Sequence, residues 1–159
     1  MTVQIRFAER ADVDVIEKLI RDLARYEKLE HEVTMTRELL DRSLFGSRPY
    51  AETLLAEDDG TAVGFALFFH NFSTFLAKPG IYLEDLFVVP EQRGRGIGRA
   101  FLQRLARIAV ERDCGRLEWA VLDWNRDAIN FYERLGAKPK SEWTVYQLAG
   151  ESLHALAGQ

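Results

Sequence analysis

Cysteine, proline and long apolar runs are all scarce in this chain. Its 159 residues include one cysteine, Cys114, so an internal disulfide is excluded. The 4 prolines do not form a linker, and no run is long and apolar enough to span a bilayer or to act as a signal segment. We therefore expect a single domain over residues 1–159 that is cytoplasmic and makes no membrane contact.

An excess of basic residues is also missing. The chain has 21 Lys and Arg against 25 Asp and Glu, giving a formal net charge of −4. This balance argues against a nucleic-acid partner, since an RNA-binding domain needs basic surface with aromatic stacking residues beside it. Arginines cluster only locally, in a patch suited to a small polyanion. The patch comprises Arg93, Arg95, Arg99, Arg104 and Arg107.

Apolar periodicity predicts strands and helices in alternation. Turns at 58–60 and 78–80 predict antiparallel hairpins, whereas the strand–helix–strand pattern over 81–122 requires a parallel pair. We expect a mixed sheet with strands at 3–8, 50–57, 62–72, 80–89, 117–122 and 143–148. Helices are expected after Asp12, after Thr36, over 97–114, after Asn125 as far as a C-capping Gly136, and over 151–157.

Residues 93–98, Arg-Gly-Arg-Gly-Ile-Gly, lie between the strand ending near Pro90 and the next helix. A helix start has unpaired backbone N–H groups, and glycine lets a phosphate approach them, so this junction predicts a pyrophosphate site. The dinucleotide fingerprint is disfavoured because its third glycine falls on Arg99, and the Gly-Lys-Ser/Thr ending of a P-loop is missing. A solvated basic loop remains the alternative.

Two adjacent carboxylates, Glu84 and Asp85, interrupt the apolar strand over 81–89. In a regular strand they face opposite sides of the sheet. A buried carboxylate is costly unless it is paired, so one reading is an arginine partner for each. The other is that one of them faces a cleft and accepts a proton or a cationic substrate. Considered by itself, the position of Tyr132 on an apolar helical face indicates a core aromatic residue.

Two segments resemble motifs of the GCN5-related N-acetyltransferases (GNAT). Val-Val-Pro-Glu-Gln-Arg-Gly-Arg-Gly-Ile-Gly at 88–98 resembles the acetyl-CoA motif Gln/Arg-x-x-Gly-x-Gly/Ala, and 125–137 resembles the second motif of that superfamily. Segments 25–27, 82–88 and 123–125, the last followed by 130–132, are similar to the spermidine/spermine and thialysine N-acetyltransferases. The resemblance implies an α/β (α+β) fold. Its mixed sheet would have about six or seven strands, mostly antiparallel with a splayed parallel pair, and about four flanking helices.

The resemblance also implies the donor. Acetyl-CoA would bind along the splayed strands and the glycine-rich junction, with backbone groups for the pantetheine arm and for the pyrophosphate, and no metal is required. The residues implied in donor binding are Phe87, Val88, Val89, Arg93, Gly94, Arg95, Gly96, Ile97, Gly98, Arg99, Asn125, Asp127 and Ala128.

Catalytic and acceptor residues follow from the same resemblance. Tyr132 would protonate the leaving thiolate, and Glu84 would deprotonate the incoming ammonium directly or through water. A small cationic amine would occupy an acidic cup formed by Tyr26, Glu27, Glu84, Asp85 and Glu142. Loop 72–76 has no acid, which favours a short diamine or a thialysine-like amino acid over a long polyamine.

Two further expectations complete the interpretation. Relatives of this kind are usually homodimers, and the apolar C-terminal segment here predicts a homodimer in which that segment packs across the partner. The alternative function is a non-catalytic acyl-CoA-binding or sensing module, which would have no need for Tyr132 together with Glu84.

Overall fold

The computed structural model describes residues 2–159, in two compact units that end at Ala120 and at Gln159. The first unit contains one five-stranded sheet and three α-helices. Its strands are β1 (Gln4–Phe7), β2 (Glu52–Asp58), β3 (Thr61–Ser73), β4 (Lys78–Val88) and β5 (Leu117–Trp119). The helices of the chain are α1 (Val13–Tyr26), α2 (Arg37–Phe45), α3 (Ile97–Glu111), α4 (Arg126–Arg134) and α5 (Gly150–Leu156). Short 3-10 turns span Arg10–Asp12, Glu30–Glu32 and Pro90–Gln92.

The sheet has the order β1-β2-β3-β4-β5, antiparallel except for the parallel pair β4–β5. The predicted mixed sheet is therefore confirmed. The β2–β3 hairpin closes through Asp59 and Gly60, whose φ angles are 51° and 79°. Positive φ at both central residues matches the right-handed strand twist, and Asp-Gly is a favoured pair for such a turn.

Apolar residues cover both faces of the sheet. On one face α1 and α2 bury Ile16, Leu19 and Leu44 against the β3 and β4 residues Phe65 and Phe87. On the other face α3 approaches so closely that a Cβ on Gly64 would lie 3.3 Å from the Phe101 ring. The buried α3 residues recur at helical spacing and are Ile97, Phe101, Leu102, Leu105, Ile108 and Ala109.

The sheet has fewer strands than the about six or seven expected. Residues 143–148 form no strand in the described part of the chain, and Val145 and Tyr146 are 92% and 94% exposed. Apolar alternation favours an extended backbone, but a strand also needs a neighbour for its N–H and C=O groups. The strand predicted at 117–122 ends at Trp119 for the same reason, since its pairing with β4 stops there.

The turn expected at 78–80 is also displaced. Lys78 already pairs with Ser73, and the chain reverses over 74–77, where Ala77 has φ 52° and the Ser73 hydroxyl accepts the N–H of Leu76 at 3.3 Å. Pro79 is tolerated within β4 because pairing to β5 begins only at Ile81, so no partner strand needs its missing N–H.

Helix ends agree closely with the sequence. Thr36 caps α2 and Asn125 caps α4, accepting the N–H of Leu39 at 3.2 Å and of Ala128 at 3.3 Å respectively. Gly136 has φ 93° just beyond α4, as a left-handed C-cap requires. Helix α3 ends at Glu111, three residues before its predicted end at Cys114, and α5 begins at Gly150, one residue before its predicted start.

None of the helices in residues 2–159 combines the length and apolarity needed to cross a membrane.

Candidate active site

The glycine-rich loop, residues 93–98, leads directly into the N-terminus of α3. Gly94 and Gly96 both have φ 80°, and a Cβ at either position would meet no atom within 4 Å. The first-turn N–H groups of α3 have no partner within the helix, and no N-cap side chain accepts a hydrogen bond from them. These open donors at the positive end of a helix fit a phosphate group, and they are where the sequence predicts the pyrophosphate of acetyl-CoA.

Strand β4 is irregular beside this loop. Leu67 pairs with Asp85 and Phe68 pairs with Leu83, so Glu84 is an extra residue in a β-bulge. Leu83 and Asp85 lie opposite adjacent residues of β3 and therefore face opposite sides of the sheet. The alternation that predicts opposite faces for Glu84 and Asp85 is interrupted here.

The same strand also separates from β5. Parallel pairing covers only Ile81–Leu83 against Leu117–Trp119. From Glu84 to Val88 the edge of β4 that faces away from β3 therefore has no partner strand; we call this the open edge. A splayed parallel pair was predicted for the donor site, and the open edge offers backbone groups to an extended ligand.

Three carboxylates gather where the open edge meets the end of α1. Glu84 is exposed, Asp85 and Glu27 are partly buried, and we call them the acidic cluster. Burial, and then the negative charges of Glu84 and Glu27, raise the pKa of Asp85 to about 6. Burial also raises the pKa of Glu27 above its ordinary value. Tyr26 adjoins the cluster, with its ring centroid 6.5 Å from that of Phe87.

The acidic cluster has no ion-pair partner among the residues that the structure describes. Among residues 2–159 no ion pair or side-chain hydrogen bond involves Glu27, Glu84 or Asp85. The structural reading of Glu84 and Asp85, an arginine partner for each, is therefore wrong. Helix α1 also ends at Tyr26, so the negative end of its dipole lies beside the cluster. Both features favour a bound cation.

The arginine side chains of the glycine-rich loop have partners of their own. Arg95 donates to Asp58 at 2.7 Å and also contacts Gln92, which ties the loop to the β2–β3 turn. Arg93 donates from Nε to the Val88 carbonyl at 2.9 Å. The loop therefore presents mainly backbone N–H groups to a phosphate, while Arg99 at the start of α3 is exposed.

The remaining predicted residues belong to the second unit, 121–159. Asn125, Asp127 and Ala128 form the first turn of α4. Tyr132 is on the same helix, partly buried, with its ring 5.6 Å from that of Phe131. Glu142 is on an exposed segment and pairs with Lys140 at 3.5 Å. The roles of these residues remain predictions.

Comparison with known proteins decides the family. Residues 16–137 match the acetyltransferase (GNAT) family. The chain belongs to this family. It is accordingly an enzyme, an N-acetyltransferase, and the alternative of a non-catalytic binding module is set aside.

Individual relatives extend over the whole chain. Thialysine N-epsilon-acetyltransferase of Mus musculus is 36% identical over 99% of this chain and 99% of its own length. L-ornithine N5-acetyltransferase NATA1 of Arabidopsis thaliana is 35% identical over 98% of this chain and 88% of its own. Among solved structures, a V. cholerae integron cassette protein superposes with a TM-score of 0.85 at 27% identity, covering 100% of this chain and 99% of that chain.

Two contacts in the candidate site of this GNAT protein were not predicted from the sequence. One is the tether between Arg95 and Asp58, and the other is the packing of Arg93 on Tyr26, where the guanidinium carbon lies 4.5 Å from the ring centroid. Both contacts join residues far apart in the chain, and neither has a local pattern. The arginine cluster was the only available signal, and it indicated an anion instead.

Proposed function

We propose that this N-acetyltransferase moves the acetyl group of acetyl-CoA directly to a primary amine of a small cationic acceptor, within a ternary complex. A short diamine or a diamino acid of the thialysine or ornithine kind is the expected acceptor. The observation that carries the proposal is the acidic cluster, which forms no ion pair within residues 2–159, beside an open strand edge and a phosphate-compatible helix start.

The donor half of the proposal depends on backbone groups. The open edge around Val88 would pair with the amides of the pantetheine arm, and the first turn of α3 would hold the pyrophosphate. Glycine is required at Gly94 and Gly96 both for the positive φ and for the open space above the loop. Asn125, Asp127 and Ala128 are the residues of α4 assigned to the donor.

The acceptor half depends on charge. Three carboxylates that form no ion pair among residues 2–159 favour an acceptor with one or two ammonium groups. The relatives named for thialysine and ornithine support an amino acid with a side-chain amine. The loop over 72–76 places no acid that could hold a distant second ammonium, which supports a short acceptor.

The transfer step assigns two proton movements to this chain. Glu84 takes the first proton from the ammonium, the free amine forms the new C–N bond to the acetyl carbon as the C–S bond breaks, and the nitrogen releases its second proton to solvent. Tyr132 gives its phenolic proton to the departing thiolate, because a phenol is a weak enough acid to stay protonated until then. Holding both reactants together supplies much of the acceleration.

Product analysis tests this proposal. The protein is incubated with acetyl-CoA and a panel of short diamines, diamino acids, spermine and acidic amino acids, and the products are identified by mass spectrometry. We expect acetylation of the short cationic acceptors. Acetylation of acidic acceptors in preference to cationic ones would contradict the assignment of the acidic cluster.

We also propose a homodimer. The supporting observation is the exposure of apolar side chains near the C-terminus, including Leu148, Leu153 and Leu156 at 46%, 50% and 76%. Leu153 and Leu156 lie on one side of α5, which is too short to be stable as a free helix and could dock on a two-fold-related surface. Light scattering distinguishes a dimer from a single chain of 18.3 kDa.

A further inference from the structure

Arg93 contacts both halves of the proposed site. Its guanidinium carbon lies 4.5 Å from the ring centroid of Tyr26 and 5.4 Å from that of Phe87, and its Nε donates to the Val88 carbonyl at 2.9 Å. Tyr26 ends α1 on the acceptor side, whereas Val88 belongs to the strand edge on the donor side. One side chain therefore links two surfaces that the reaction must fill together.

The Val88 carbonyl lies on the open edge. In a planar trans peptide the C=O of one residue and the N–H of the next point in opposite directions. Val89 donates its N–H to Val63 of β3 at 2.9 Å, so the Val88 carbonyl points away from β3. Arg93 thus occupies an acceptor on the edge that is proposed to hold the donor.

Arg93 also places a positive charge beside the acceptor site. No carboxylate among residues 2–159 forms an ion pair with it, so its charge is not neutralised within the described protein. This charge offsets part of the negative potential of the acidic cluster, so it weakens the attraction of a cationic amine that approaches Tyr26 and Glu27. Phosphate groups bound at the glycine-rich loop, where Arg93 itself lies, would offset it.

We infer that Arg93 is a positioning residue that couples the two sites, so that the bound donor raises the affinity for the amine. This inference rests on the proposed function and adds to it that the donor and the amine bind cooperatively. Because binding free energies are reciprocal, a bound amine must raise donor affinity by the same factor.

Calorimetry tests the coupling without turnover. Coenzyme A, which carries no acetyl group, and 1,3-diaminopropane are titrated separately and then each in the presence of the other. For the wild-type protein we expect amine affinity to rise about fivefold or more when coenzyme A is bound. Arg93→Met keeps apolar packing on the Tyr26 ring but removes the charge, so amine affinity of the free protein should rise and the coupling should fall to about onefold.

Two variants serve as controls. Arg93→Lys keeps the positive charge and should keep most of the coupling. Arg95→Met removes a neighbouring arginine that contacts Asp58 rather than Tyr26, so it should weaken coenzyme A binding while the coupling factor stays as in the wild type.

The possible outcomes distinguish a failure of this inference from a failure of the proposed function. If Arg93→Met weakens amine binding in the free protein, or keeps the wild-type coupling factor, Arg93 has only a structural role and the inference is overturned. If the wild-type protein does not bind coenzyme A at all, the proposed function fails, and the inference fails with it.

Discussion

Asp85→Asn removes one charge from the acidic cluster while nearly preserving the shape of the side chain. A pKa of about 6 in the folded protein, against an ordinary value of 3.8, corresponds to about 3 kcal/mol of unfavourable free energy when this carboxylate is ionised. Asparagine does not ionise, so this cost disappears in the variant. We therefore expect the free energy of unfolding at pH 8 to be higher for the variant by about 2–3 kcal/mol.

The sign of the pH dependence follows from proton binding. Because the pKa of Asp85 is higher in the folded state, the folded protein binds more protons than the unfolded chain between about pH 4 and pH 6. This residue therefore lowers wild-type stability as the pH rises through that window, and the loss persists above it. The advantage of the variant should be full at pH 8 and absent at pH 4.

Urea unfolding followed by the fluorescence of the 3 tryptophans measures both values. The control is Asp123→Asn, which neutralises an exposed aspartate outside the cluster and should change stability little at either pH. The reasoning is refuted if Asp85→Asn gives no gain at pH 8, or if its gain is equally large at pH 4. The more stable variant should also be the poorer enzyme, since its binding site has lost a carboxylate.

Three further expectations concern donor, catalysis and assembly. Gly96→Asp should weaken coenzyme A binding more than about tenfold, while Gly60→Asp, at a turn with φ 79° and equal space, should not; equal affinities in calorimetry would contradict the loop assignment. Tyr132→Phe should lower kcat about a hundredfold with little change in coenzyme A affinity, and full turnover would return Tyr132 to a packing role. Truncation after Leu148 should shift a dimer towards monomer in light scattering, and an unshifted mass would show that the tail is not its basis.

Much of the fold could be predicted because its signals are local. The Asp-Gly turn, the caps Thr36 and Asn125, and the apolar stripe of α3 each depend on neighbouring residues. The strand over 143–148 could not be settled this way, because a strand depends on a partner that periodicity does not report. The turn predicted at 78–80 was wrong for a similar reason, since Pro79 fits within a strand at a point where pairing with β5 has not begun.

In the candidate site, too, only the features with a local sequence signal could be predicted. Composition and spacing singled out the glycine-rich loop and the pair Glu84 and Asp85, because both interrupt otherwise regular patterns. The bulge at Glu84, which places Asp85 opposite Leu67 on β3, depends on register with another strand. The approach of Glu27 and the packing of Arg93 on Tyr26 require the end of α1 to meet β4, which no local pattern encodes.

The central claim is that the acidic cluster recognises a cationic amine, and a matched pair of acceptors tests it most directly. 1,3-Diaminopropane and 3-amino-1-propanol have the same length and differ by one ammonium group. With acetyl-CoA as donor, we predict that kcat/KM for the diamine exceeds that for the amino alcohol by about tenfold or more, and that Asp85→Asn reduces this ratio. Equal kcat/KM values in the wild-type enzyme would contradict the account.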